Sequence, residues 1–266
     1  MKELSSSELK KIEFEMLKNV AEFCEASGIM YFLACGTALG AIRHNGFIPW
    51  DDDVDIAMPR PDYERFVNTY KSEMYEIIDS RFDEAYPYAF AKVSDKGTVL
   101  IENIAKPFPM GVYIDVFPID GMPNNEEERQ KHLNKIEWYT RLLSWKRISK
   151  TKKVGMIHKI FQLIAKALLS PVSIKTLVSW LDREVKRYTF ENSEYVGHLT
   201  TKATWGNDTK PKYIFAQPIK HKFETAEFNL PVFFDEYLTL EYGNYMSLPP
   251  EEKRISLHDF TVRRKE

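Results

Sequence analysis

Between Leu9 and Cys24 the apolar residues Leu9, Ile12, Met16, Val20, Phe23 and Cys24 recur at helical spacing among charged neighbours. Ser5 with Glu8 three residues later has the form of a capping box, and Gly28 supplies a stop, so a first helix is predicted between them. Residues 29–34 are a near-continuous apolar run ending at Cys35-Gly36, as expected of a buried strand. A short helix is predicted over 37–43, with Asn45-Gly46 as a turn. Pro59-Arg60-Pro61-Asp62 then halts a second strand, and Tyr63, Phe66, Val67 and Tyr70 mark one face of a helix starting near Asp62. Strands are predicted over 75–78, 88–93, 98–102 and 111–117, with Ser94-Asp95-Lys96-Gly97 as a hairpin turn.

Farther along, the pattern turns helical over 125–147 and 156–188, interrupted at Ser170-Pro171. Residues 233–242 read as a short amphipathic helix closed by Gly243. The expectation is a mixed α/β protein with its core over 1–122. A mainly helical accessory region over 123–266 either stands apart or packs with the core as one domain.

Composition narrows the function classes. The 266 residues, 44% hydrophobic and 14% aromatic, suffice for a substantial core. A formal net charge of −2 provides no global cationic field, so nucleic acid is not expected as a partner. Cys24 and Cys35 sit in apolar surroundings at no zinc-binding spacing and read as small core residues, and the histidines show no metal spacing either. The N-terminus lacks the apolar stretch of a signal peptide, and no run reaches the ~18 to 20 apolar residues of a spanning helix, so a cytoplasmic location is expected.

Chemistry concentrates in Asp51-Asp52-Asp53-Val54-Asp55, where four carboxylates crowd behind Ile48-Pro49-Trp50. A solvated charge run fits badly, because Val54, Ile56, Ala57 and Met58 carry the segment into the core. A calcium loop fails because its sixth position is Ile56 rather than Gly, and its twelfth is Asp62. A helical diphosphate-binding DDxxD would sit between Pro49 and Pro59, in an all-helical protein that the strands contradict. In the reading that remains, Val54-Asp55-Ile56 belongs to a strand. Asp53 and Asp55 then project from one face, ~7 Å apart along it, where a divalent cation relieves their repulsion.

The stretch CGTALGAIRHNGFIPWDDDVDIAMPRPDYERF, together with YIDVFPID and EYLTLEYGNYMSLPP, closely resembles the LicD family of phosphocholine and phosphopolyol transferases related to the fukutin-related proteins. The resemblance implies a nucleotidyltransferase-like core sheet with flanking helices. It also implies metal-dependent transfer of a phospho-alcohol from a CDP-linked donor to a hydroxyl of a glycan, or a lipid-linked glycan, of the lipopolysaccharide or teichoic acid kind. Asp53 and Asp55 correspond to the acidic pair, holding Mg2+ or alternatively Mn2+. Asp115 is expected as the third carboxylate, completing the metal site or accepting the acceptor's proton, with Asp120 as its rival. Gly36 and Thr37, at a helix start, and the cations Arg43 and Lys92 are candidates for the donor phosphates. Arg43 and Lys92 have salt bridging as their alternative.

If the transferred unit is choline, aromatic faces should hold its ammonium, and Trp50, Tyr86, Tyr88, Phe90, Trp138, Trp145 and Trp205 are available. An apolar stripe over 156–169, following Lys146, Arg147, Lys150, Lys152 and Lys153, would suit peripheral contact with the inner face of a membrane. Two other readings stay open: a nucleotidyltransferase acting on a small molecule, and a catalytically silent nucleotide-binding module.

Overall fold

The computed structural model describes residues 3–102, 107–147, 169–201, 209–256 and 260–265. Helix α1 (Ser6–Ser27) opens on the expected capping box, the Glu8 carboxylate accepting from the Ser5 amide at 2.9 Å, and closes where Gly28 adopts φ +60°. Its buried stripe is Leu9, Met16, Leu17, Val20, Ala21 and Cys24, with one carboxyl, Glu13, on the same face.

There follow β1 (Phe32–Leu33), α2 (Cys35–His44), β2 (Asp55–Pro59), α3 (Arg60–Thr69), β3 (Tyr75–Ile78), β4 (Ala91–Asp95), β5 (Thr98–Glu102) and β6 (Tyr113–Met122). The principal sheet has the order β1-β2-β6-β4-β3. Its β2–β6 pair is parallel, and its other pairs are antiparallel. Strand β6 is the spine: it meets β4 through Tyr113–Val116 and β2 through Asp115–Ile119. Its end pairs with β7 (Tyr195–Gly197), which in turn pairs with β8 (Lys210–Pro211). Val112, Ile114, Val116 and Ile119 are fully buried.

Helices α4 (Glu126–Arg147) and α5 (Ile174–Val185) pack on each other around Leu133, Ile136, Leu177 and Leu181, in a cluster that also takes in Met122 and Leu199. The chain then forms a hairpin, β9 (Pro218–Phe223) with β10 (Ala226–Pro231), helix α6 (Phe234–Tyr242), and β11 (Phe260–Arg264), which pairs with β5.

Two expectations are corrected, and of the two arrangements left open for the region after residue 122 the packed one is seen. The region after residue 122 is not mainly helical in its described part: beyond Val185 it supplies five strands, short and polar enough in alternation to hide from a helical count. It is also continuous with the core, since β7 extends the sheet and Phe215, Phe228, Tyr237 and Val262 join the main hydrophobic cluster. Finally, the turn at 94–97 makes no hairpin. Gly111 packs so closely on the Asp95 carbonyl that an added Cβ would lie 1.9 Å away, and the Asp95 amide bonds Val112 O at 2.7 Å. With β6 wedged against β4, β5 turns away to β11.

Among the described residues no helix is long and apolar enough to cross a membrane. Most of the basic and apolar stripe expected at a membrane surface lies outside them, as does Trp205. Lys146, inside them, is engaged internally, donating to Leu169 O at 2.7 Å and Ser170 O at 3.1 Å.

Candidate active site

The backbone around Asp55 is pinned from three directions. Its amide donates to Thr37 Oγ1 at 2.8 Å, its carbonyl accepts from the Ala34 amide at 3.0 Å, and the preceding Val54 carbonyl accepts from the Asp115 amide at 2.8 Å. Thr37 is buried at the first turn of α2, so its hydroxyl acts here as a structural acceptor that ties helix α2 to β2. Asp55 and Asp115 are register partners in the parallel pair.

The rival, Asp120, is excluded by its own bonding. It is fully buried and clamped by Arg60, with Nε to Oδ1 at 2.6 Å and Nη2 to Oδ2 at 2.7 Å. Both of its oxygens are committed at the opposite end of β2.

Lys92 pairs across the β4–β6 ladder with Asp115, and its ammonium donates to Asp115 Oδ1. The Lys92 side chain is 3% exposed. Its Nζ lies 3.4 Å from the Tyr113 ring centroid, 5.2 Å from Tyr88 and 5.4 Å from Phe90. Burying an ammonium is tolerable only with such an ion pair and aromatic faces. Lys92 thus holds a carboxylate in place, and the rings of Tyr88 and Phe90, named above as surfaces for a choline, are taken by the protein's own cation.

The acidic run departs from the expected strand face. β2 begins at Asp55, so Asp53 belongs to the segment before it, where no pleat dictates its direction. Asp51, Asp52 and Asp53, half-buried, bring carboxylate oxygens within 4.8 Å of one another. Asp51 and Asp52 are therefore part of the cluster and not merely flanking it. Asp55 itself is buried. Burial first, then the charges of Asp53, Asp115 and Asp51, hold its carboxyl well above the usual range against the opposing pull of Lys92.

A further carboxyl stands beneath. Glu13 of α1 is 2% exposed, has one oxygen without a hydrogen-bond partner among the described residues, and is pushed well above the usual range by burial and then by Asp53 and Asp52. The sequence signal was available: Glu13 sits four residues after Leu9, on the stripe that otherwise reads as core.

These groups open on a cavity of about 730 Å³ lined by Gly36, Arg43, Trp50, Asp51, Asp53 and Asp55 on one side. Tyr242, Tyr245, Leu248, Lys253 and Ile255 form the other side. Gly36 is needed for its close approach to the acids, since a Cβ there would stand 2.4 Å from Asp51 Oδ2. Arg43 lines the cavity while its Nη1 donates to Tyr245 O at 2.9 Å and Ser247 O at 3.3 Å. It is a strut for the C-terminal wall as well as a positive charge. His44 packs edge-on against Trp50 with centroids 5.9 Å apart, as a packing residue should. Cys35 opens α2 at φ +47°, a strained conformation for a residue with a Cβ, and donates its amide to the Tyr237 hydroxyl of α6 at 3.0 Å.

The donor set is all carboxylate oxygen, crowded enough to raise the Asp55 carboxyl, and it suits a hard divalent cation such as Mg2+ or Mn2+. The sequence-predicted residues Gly36, Asp53 and Asp55 meet around one cavity, with Arg43 at its wall. Thr37 and Lys92 stand behind the acids and act through them. The C-terminal wall could be placed only through the EYGNYMSLPP likeness.

The molecule is thus a mixed α/β protein with an acidic, oxygen-donor centre at the edge of its parallel strand pair. Residues 28–150 match the family described as LicD/FKTN/FKRP, nucleotidyltransferase domain. The lipopolysaccharide cholinephosphotransferase LicD of Haemophilus influenzae is 32% identical over 267 residues, covering 97% of each chain. The ribitol 5-phosphate transferase FKRP of Homo sapiens is 36% identical over 67 residues, 25% of this chain and 14% of that protein. Mannosyltransferase regulator 4 of Saccharomyces cerevisiae is 29% identical over 127 residues, 45% of this chain and 10% of that protein. The chain belongs to the LicD family.

Proposed function

We propose that this protein transfers phosphocholine, or a related phospho-alcohol, from a CDP-linked donor to a hydroxyl of a cell-surface glycan precursor, with Mg2+ held by Asp53, Asp55 and Asp115. The observation that carries this reading is the meeting of cations and carboxylates around one cavity: Arg43 and Lys253 offer charge to a diphosphate, beside Asp51, Asp53 and Asp55. The near full-length likeness to a cholinephosphotransferase supports phosphocholine over the other head groups.

In the reaction, the acceptor oxygen forms a bond to the donor's distal phosphorus while the bond from that phosphorus to the bridging oxygen breaks. CMP leaves with the electron pair. The hydroxyl proton passes to a carboxylate lining the cavity, Asp51 or Asp53, since Asp115 Oδ1 is occupied by Lys92. A bound magnesium ion would neutralise the phosphate oxygens and acidify the attacking hydroxyl. Lys92 and Thr37 keep Asp115 and Asp55 in register without touching substrate. Trp50, Tyr242 and Tyr245 offer aromatic surface to the head group.

The test is a thermal-shift panel with CDP-choline, CDP-ribitol, CDP-glycerol and nucleoside triphosphates, with and without Mg2+, followed by product analysis. Stabilisation by CDP-choline with Mg2+ and release of CMP is expected. Release of pyrophosphate with a nucleotide-modified product would replace this reading by nucleotidyl transfer.

A further inference from the structure

A second cavity, about 280 Å³, takes Asp52 into its lining and shares Trp50 and Asp51 with the first. Its chemistry differs. The larger cavity carries Arg43 and Lys253, whereas no Lys or Arg is among the described residues lining the smaller one. There, the exposed Ser6 and Thr261 carry hydroxyls, Glu3 and Asp52 carry carboxylates, and Trp50 adds its indole, over which the Arg254 guanidinium lies 5.6 Å from the ring centroid. Ser256 anchors this side by donating to the Asp52 carboxylate.

We propose that this second cavity is the acceptor subsite and takes an uncharged sugar ring of the glycan. This deepens the function proposed above and rests on it. Carboxylates and hydroxyls bond the several hydroxyls of a neutral sugar, and an indole ring packs on its C–H face. The same lining offers a diphosphate no cation, whereas Arg43 and Lys253 of the larger cavity do. Geometry adds the second reason. Displacement at phosphorus brings the incoming oxygen in line with the leaving oxygen, so donor and acceptor must approach the phosphorus from opposite sides. Two neighbouring cavities that share Trp50 and Asp51, one with cations in its lining and one without, leave room for two separate approaches.

The experiment compares the full-length protein with Thr261→Trp, which fills the cavity from β11, and Ser6→Trp, which fills it from α1. Binding of free glucose, galactose and N-acetylglucosamine is followed by saturation-transfer NMR, and binding of CDP-choline with Mg2+ by titration calorimetry. At least one sugar is expected to give a signal with the unmodified protein that is lost in either variant, while the CDP-choline affinity changes by less than about twofold. Absence of any sugar signal in the unmodified protein, or its persistence in a variant whose thermal melt shows it folded, would overturn the subsite. Failure of CDP-choline to bind the unmodified protein would instead strike the donor assignment, whatever the sugars do.

Discussion

Asp55 and Asp115 sit opposite one another in the parallel pair β2–β6, and on the far edge of β6 Asp115 meets Lys92. Three charged residues thus lie in one row across three strands, the central one bonded through its amide to the carbonyl beside the first. The row turns a backbone register into a fixed spacing of carboxylates.

If that spacing serves a divalent cation, Mg2+ should raise the melting temperature of the protein in the absence of any nucleotide. Asp53→Ala and Asp55→Asn should each abolish the rise and lower transfer by about 10²-fold or more. Asp55→Asn should also melt no lower than the unmodified protein in the absence of metal, because it removes a buried charge crowded by Asp53, Asp115 and Asp51. Thermal melts and CMP release measure both. A folded, fully active Asp55→Asn would contradict the metal role.

Lys92→Met leaves Asp115 facing Tyr113, Tyr88 and Phe90 without its counter-charge. A loss of about 3–5 kcal/mol in denaturant unfolding is expected, as for other buried pairs broken on one side. Adding Asp115→Asn should restore much of it. A double-mutant cycle that proves additive would show the pair to be energetically idle.

At the start of α2 the two candidate phosphate residues should separate in behaviour. Thr37→Val removes the acceptor for the Asp55 amide and is expected to destabilise by about 1–3 kcal/mol, with Thr37→Ser close to neutral. Gly36→Ala should fold, because the atom it displaces is the end of the Asp51 side chain, yet weaken CDP-choline binding about tenfold. Unfolding curves and calorimetry distinguish the two outcomes.

His198 provides a pH signature away from the acids. It is wholly enclosed, stacks on Phe117 at 5.9 Å, and its Nε2 finds no hydrogen-bond partner among the described residues. Burial, then the Lys210 charge, lower its pKa to about 3. The unfolded chain takes up a proton near the ordinary histidine value and the folded one does not, so the stabilisation is whole above that value and drains away as pH falls toward the folded one. Between about pH 7 and about pH 5 the protein should lose roughly 2 kcal/mol through this group. His198→Phe should flatten that part of the stability curve, which denaturant titrations at each pH will measure.

How much of this was written in the letters varies by element. The capping box of α1, the short helix α2 and the α3 face follow from local signals, which are enough for them, whereas Asp115 is singled out only through the family likeness of YIDVFPID. Alternation along 53–56 puts Asp53 on a strand face only if the strand begins before Asp55, and it does not. Pairing with β6 decides where the strand starts, and pairing is not local. The hairpin expected at 94–97 failed for the same reason: turn chemistry permits a hairpin, but Gly111 and Val112 take the edge of β4 first. Lys92 was legible as an anomaly, a cation on an apolar strand, while its partner lay 23 positions away. Glu13 was lost inside a helical stripe because one carboxyl among apolar residues does not disturb a period.

The contacts that close the site span nearly the whole chain. The Cys35 amide reaches the Tyr237 hydroxyl, Arg43 reaches the Tyr245 carbonyl, and Asp52 receives the Ser256 hydroxyl, at separations of 202, 202 and 204 residues. The acids are made early in synthesis and their enclosure late. A ribosome-bound chain halted anywhere before Tyr237 would carry the entire family-matched segment and still lack the wall that Arg43 braces. Enclosure of the acids therefore waits on residues about 200 positions further along the chain.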